Sequence, residues 1–200
     1  MVNINIGKSV FDKYDATTFE LGLDLDRIRK IIDLAKANEL VDIQFIQEKN
    51  QLVVAIGELK ALMGIVDFRD IPDLNPESMN VSGKVTLKVN QLKRGLIVSD
   101  DIAEDVVLGI DRNKFELRAE KDVNAVELRL KKPDLFKLES EVYHESAYSS
   151  KSLKDLFQCL EDESLVQICF GNETPLQIDY DFPYPGSHLT YFLCPRIEPC

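Results

Sequence analysis

Histidine is scarce in this chain of 200 residues: His144 and His188 are the only two. A nucleophile that needs a histidine base therefore has little to choose from, and neither a G-x-S-x-G turn nor a phosphate-cradling P-loop occurs. Cys159, Cys169, Cys194 and Cys200 form no C-x-x-C pair and have no histidine at ligand spacing, which argues against a zinc centre. They sit among apolar residues and read as small core side chains, with disulfides left open for a hyperthermophilic source. No apolar run approaches membrane-spanning length, and the polar, mixed start does not read as a signal peptide. Basic charge is in deficit too: the net charge is −11. That argues against nonspecific wrapping of DNA by the whole surface, while leaving room for a local basic face. Asp100-Asp101 with Glu104-Asp105, and Asp24 with Asp26, read as solvated helix termini or loops rather than cation sites. The expectation is a protein that is not an enzyme and carries no metal or cofactor.

What is present is periodicity. A hydrophobic fraction of 44% over this length allows one or two domains with a sizeable core. Residues 1–6 alternate apolar and polar, as a strand does, and Ser9 to Asp12 reads as a turn or helical start. Glu20 to Leu25 alternates again, with Leu21, Leu23 and Leu25 on one face. A helix follows, with Asp26 as candidate N-cap and Ile28, Ile31, Ile32 and Ala35 at helical spacing. Val41–Ile46 and Leu52–Ile56 read as a hairpin turned at Glu48-Lys49-Asn50, and Leu59–Val66 as another strand.

Residues 67–78 carry two prolines and several acids and read as the linker of the chain. Beyond them the pattern returns: a strand at Lys84–Val89, a helix from about Asn90, then strands at Val106–Ile110, Lys114–Ala119 and Val123–Leu130. It returns once more: a strand at Leu135–Tyr143, a helix capped by Ser149 or Ser150, then strands at Leu165–Phe170, Leu176–Asp181 and His188–Leu193. Phe182-Pro183-Tyr184-Pro185-Gly186 is turn chemistry. One unit, strand–helix–three strands, thus occurs three times, with helices beginning near residues 26, 90 and 150. Three strands joined by short turns form antiparallel meanders, so the expected class is α+β, with each helix covering a sheet face.

The carboxyl end, Leu189-x-Tyr191-Phe192-Leu193-x-Pro195-Arg196-Ile197-Glu198, resembles that of the sliding DNA clamps, the proliferating cell nuclear antigen family, most of all its archaeal members. Phe11-Asp12-x-Tyr14, Gly22-Leu23-x-Leu25 and Thr174-Pro175-Leu176 fall in the same order along the chain. The resemblance covers essentially the whole sequence. It implies that 1–66 match the second half of a first clamp domain, 67–80 the interdomain connector and 81–200 a complete second domain. The first strand–helix–three-strand unit of domain one is expected to be missing, through a mis-called start codon, a deliberate truncation or a natural short form. An uncovered apolar surface on 1–66 is the expected consequence.

The family's function then implies roles for particular residues. A clamp makes no bonds; it is a processivity factor for DNA replication and repair, closed head to tail as a homotrimer around duplex DNA. The strands matching the subunit interface carry Leu59, Ala61 and Met63 on one side, and Val126 and Leu128 on the other. The helices matching the DNA-facing lining carry Arg27, Arg29, Lys30 and Lys36, then Lys88, Lys93 and Arg94, then Lys151 and Lys154, which would meet phosphates without reading bases. The positions matching the pocket for partner motifs are Leu74, Pro76, Pro175, Phe192, Cys194, Pro195 and Ile197. The implied partners are DNA polymerase, clamp loader, flap endonuclease and ligase, held through short peptide motifs. The implied location is the archaeal cytoplasm at the nucleoid, or the nucleus in a eukaryote, with no membrane association. Two rival readings are a clamp-like interaction protein that binds partner motifs without encircling DNA, and a subunit of a mixed ring.

Overall fold

Every helix in this chain is followed by a three-stranded antiparallel meander. The computed structural model describes residues 1–18, 20–67 and 82–196. Most of the expected connector, with Leu74 and Pro76, lies outside the described residues, as do Ile197 and Cys200. The chain divides into a smaller unit, Asp15–Asn75, and a larger one, Met1–Tyr14 together with Pro76–Cys200.

The larger unit contains two repeats. The first is β5 (Gly83–Lys88), α2 (Val89–Ile102), β6 (Asp105–Ile110), β7 (Lys114–Lys121) and β8 (Asn124–Lys131). The second is β10 (His144–Ser149), α3 (Ser150–Gln158), β11 (Leu165–Phe170), β12 (Leu176–Asp181) and β13 (His188–Leu193). The two are interleaved. The leading strand β5 pairs with β11 of the other repeat, Lys88 opposite Leu165, and β10 pairs with β6, Ser149 opposite Asp105. This exchange builds a four-stranded sheet, β10-β6-β7-β8, and a six-stranded one, β1-β13-β12-β11-β5-β9, whose edges are β1 (Val2–Asn5) and β9 (Lys137–Glu139).

Alternation explains the core. Val106, Leu108 and Ile110 face Phe115 and Leu117, and Val166 and Ile168 face Tyr180 and Ile178, on the buried side of each sheet. α2 and α3 pack against each other and bury Leu92 and Leu96, Leu153 and Phe157 between the sheets. Each such side chain contributes about 1.5–3 kcal/mol relative to leaving it in water.

The N-terminal strand is an addition to this unit. β1 pairs antiparallel with β13, Val2 opposite Tyr191. The Gly7 amide donates to Ser187 Oγ at 3.0 Å and Asn5 Nδ2 to the Gly186 carbonyl at 3.2 Å. A Cβ on Gly7 would lie 2.2 Å from the Pro185 oxygen, so only glycine permits this approach.

The smaller unit is one repeat: α1 (Leu25–Ile32), β2 (Val41–Ile46), β3 (Gln51–Ile56) and β4 (Leu59–Gly64), with the sheet in the order β2-β3-β4. Asn50 takes the left-handed conformation that the β2–β3 turn requires (φ 53°). Leu52, Val53, Val54 and Ile56 are buried, yet α1 buries no residue completely.

Several expectations are corrected. Glu20–Leu25 is not a strand: only Gly22 makes a bridge, to Val66, and Leu25 already belongs to the helix. A strand needs a neighbour on which to complete its ladder, and alternation alone does not supply one. The N-cap is Asp24, not Asp26; Asp24 is extended and accepts from the Arg27 amide at 3.1 Å, while Asp26 lies in the first turn. β4 stops at Gly64 rather than Val66. The strand expected over Leu135–Tyr143 is broken, with Lys137–Glu139 pairing with β5 and the helix-leading strand starting at His144. Of the cysteines taken as core, only Cys169 is buried; Cys159 and Cys194 are exposed. The cap at Ser149, which accepts from the Ser152 amide, agrees with the sequence.

Candidate functional site

Two edge strands come first. β8 ends the four-stranded sheet and β4 ends the three-stranded one. Register places Val126 and Leu128 opposite Ala119 and Leu117, and Leu59, Ala61 and Met63 opposite Ile56, Val54 and Leu52. The expected interface residues therefore continue the core-facing rows of their sheets out to an open edge. Ala61, Met63, Val126 and Leu128 are half-buried, whereas their neighbours one strand inward are buried. An edge of this kind, apolar on one face and unpaired along its backbone, is built to accept another strand.

The nine cations on and beside the helices are mostly engaged already. Arg27 pairs with Asp24 (3.3 Å), Arg29 with Asp33 (3.5 Å), Lys88 with Glu163 (2.6 Å), Lys93 with Asp162 (2.8 Å) and Lys151 with Asp155 (2.8 Å). Lys154 pairs with Asp100 across the α2–α3 contact. Lys30, Lys36 and Arg94 are exposed and make no ion pair among the described residues. The helix layer is thus a lattice of exposed ion pairs, each of modest strength and screened by salt, in which three cations remain free.

At the carboxyl end, Phe192 is buried, Pro175 and Pro195 are half-buried and Cys194 is exposed. Leu176 opposes Leu193, so Pro175 and Cys194 lie just beyond the same end of the β12–β13 ladder. Past Pro195 the tail crosses to the four-stranded sheet. The Arg196 amide donates to the Ala147 carbonyl at 2.7 Å and its guanidinium reaches Asp105 at 3.1 Å. Four of the seven expected pocket residues form this wall; Leu74, Pro76 and Ile197 lie outside the described residues.

No protein-family model matches the chain. Curated relatives do. It is 27% identical over 203 residues to the DNA polymerase sliding clamp of Natronomonas pharaonis, covering 99% of this chain and 81% of that protein. It is 27% identical over 201 residues to the DNA polymerase sliding clamp of Methanosphaerula palustris, with the same shares covered. The chain is a relative of the DNA sliding clamps. Its fold is theirs as well: PCNA of Thermococcus kodakaraensis superposes with a TM-score of 0.81 at 24% identity, over 98% of this chain and 81% of that one. The A. fulgidus PCNA solved with the C-terminal region of FEN-1 gives 0.86 at 22%, over 99% and 81%.

One feature of this clamp relative was not singled out from the sequence. On the outward face of β7, the Glu116 side chain is only 5% exposed. Lys114 Nζ lies 2.5 Å from it and Arg129 Nε 3.5 Å, and the Tyr143 hydroxyl donates to it at 3.2 Å. Gly109, opposite Glu116, leaves the room: a Cβ there would lie 2.9 Å from the Tyr143 hydroxyl. Burial opposes ionisation of Glu116, but Lys114, Tyr143 and Arg118 outweigh it and hold the carboxyl below the usual range. The alternation Lys114-x-Glu116-x-Arg118 marks an outward strand face, and was the available signal.

Proposed function

We propose that this chain is a subunit of a DNA sliding clamp, a non-enzymatic processivity factor that encircles duplex DNA and tethers replication and repair proteins. The observation that carries the reading is the pair of open edge strands, β4 and β8, each presenting a half-buried apolar row that continues a core. Whole-length similarity to proteins named DNA polymerase sliding clamp supports it. In this reading 1–66 are half of a clamp domain, 67–80 the connector and 81–200 a complete domain. Leu59, Ala61 and Met63 of one subunit meet Val126 and Leu128 of the next, and head-to-tail repetition closes the ring.

DNA is held by topology more than by affinity. With most helix cations already paired, Lys30, Lys36 and Arg94 are the ones free to meet phosphates without a competing carboxylate. The wall made by Pro175, Phe192, Cys194 and Pro195, extended by Leu74, Pro76 and Ile197, receives the apolar plugs of partner motifs from a DNA polymerase, clamp loader, flap endonuclease or ligase. The test is retention on DNA: loaded onto a closed circular plasmid, the protein should co-elute with it and be lost when the plasmid is cut once. Equal retention on linear and circular DNA would contradict encirclement.

A further inference from the structure

The three repeats share a closure that exposes what the smaller unit has left open. In each, the residue three before the helix is bridged by the segment leaving the third strand. The Val66 amide donates to Gly22 at 2.8 Å, Phe136 to Thr86 at 3.0 Å and Arg196 to Ala147 at 2.7 Å. The helices start at Leu25, Val89 and Ser150, so the position is the same each time. On the other side of the leading stretch the repeats differ. β5 and β10 each pair with the first meander strand of the other repeat, and α2 and α3 pack together. Among the described residues, the stretch 20–24 has no such partner, β2 is an unpaired edge, and α1 buries nothing. Ile43 faces the same side as the fully buried Val54 and is nevertheless 51% exposed.

We propose that the smaller unit is one half of an interleaved pair, and that a second copy of this chain completes it by reciprocal strand exchange. The residues 20–24 of each copy add to the β2 edge of the other, and the two α1 helices pack through Ile28, Ile31 and Ile32. The larger unit supplies the register. There Tyr148 opposes Val106 and Leu87 opposes Val166, apolar on apolar. The corresponding alignment places Leu23 opposite Val41 and Leu21 opposite Ile43, which also match in chemistry and face. A second copy is the fitting occupant because exchange between two like units is self-complementary under a two-fold axis, needs no new sequence and covers both exposed helix stripes at once. This surface is separate from the β4 and β8 edges, so the proposal does not rest on the clamp reading.

Light scattering of the purified chain across a dilution series tests it. The expected mass is that of two chains, falling twofold to one in Ile31→Glu and in Ile43→Lys, and unchanged in Glu48→Lys on the β2–β3 turn. Hydrogen exchange on the native chain gives a second readout that no substitution can spoil by unfolding: amides of Val41–Ile46 should gain protection with rising concentration while those of β8 do not. A single-chain mass at every concentration overturns the proposal. So does a three-chain mass insensitive to Ile31→Glu and Ile43→Lys, an outcome that would leave the clamp reading standing.

Discussion

Glu116 shows how a single carboxylate organises an outward sheet face. It is ionised in the folded chain because three neighbours outweigh its burial. A carboxyl depressed on folding contributes stability above its unfolded pKa and loses that contribution as the pH falls through the folded value. Glu116→Gln should therefore destabilise the larger unit at neutral pH by about 1–3 kcal/mol, the range for hydrogen bonds to charged groups. The gap from wild type should close below the ordinary carboxylate range. Urea titrations at pH 7 and pH 3 measure both. Cys169 makes a contrasting case, since burial pushes its thiol up to about 11. Mass mapping after brief alkylation at pH 8 should find Cys159 and Cys194 modified and Cys169 untouched until the chain unfolds.

At the scale of elements, the meanders were legible from alternation and turn residues. Leu165–Phe170, Leu176–Asp181 and His188–Leu193 stand as the sequence implied, because each has a hairpin neighbour close in the chain. What failed was whatever depends on distant partners. Glu20–Leu25 has the right alternation and no strand to lie against. The helix cations looked free in sequence, but Lys88 and Lys93 find Glu163 and Asp162 some 75 and 69 residues away. Which carboxylates would meet them depends on how two repeats interleave, and composition does not carry that. α1 is the element most dependent on local chemistry, since packing holds it least. Removing its N-cap with Asp24→Ala should cost about 1 kcal/mol, read as faster exchange of the α1 amides with α2 and α3 unaffected.

For the whole molecule, the contrast between the two units sets the order of unfolding. The larger unit has paired helices and one contiguous core; the smaller offers a single helix and four buried apolar side chains on one strand. In dilute single chains, hydrogen exchange should show 20–66 opening well before β5–β8 and β11–β13, as sub-global units of lower stability do. Equal protection of both would mean that the smaller unit is held by contacts beyond its own sheet and helix.

The pairing of β1 with β13 also governs events before the molecule is finished. Asn5 and its acceptor Gly186 are 181 residues apart. At about 5–20 residues per second of synthesis, β1 emerges roughly ten to forty seconds before β13 exists. Throughout that interval Val2, Ile4 and Ile6 have no ladder to join, and in the finished fold they remain half-exposed. The nascent chain therefore trails a short sticky strand past the ribosome, a natural handle for a chaperone, and secures it only when the last strand arrives.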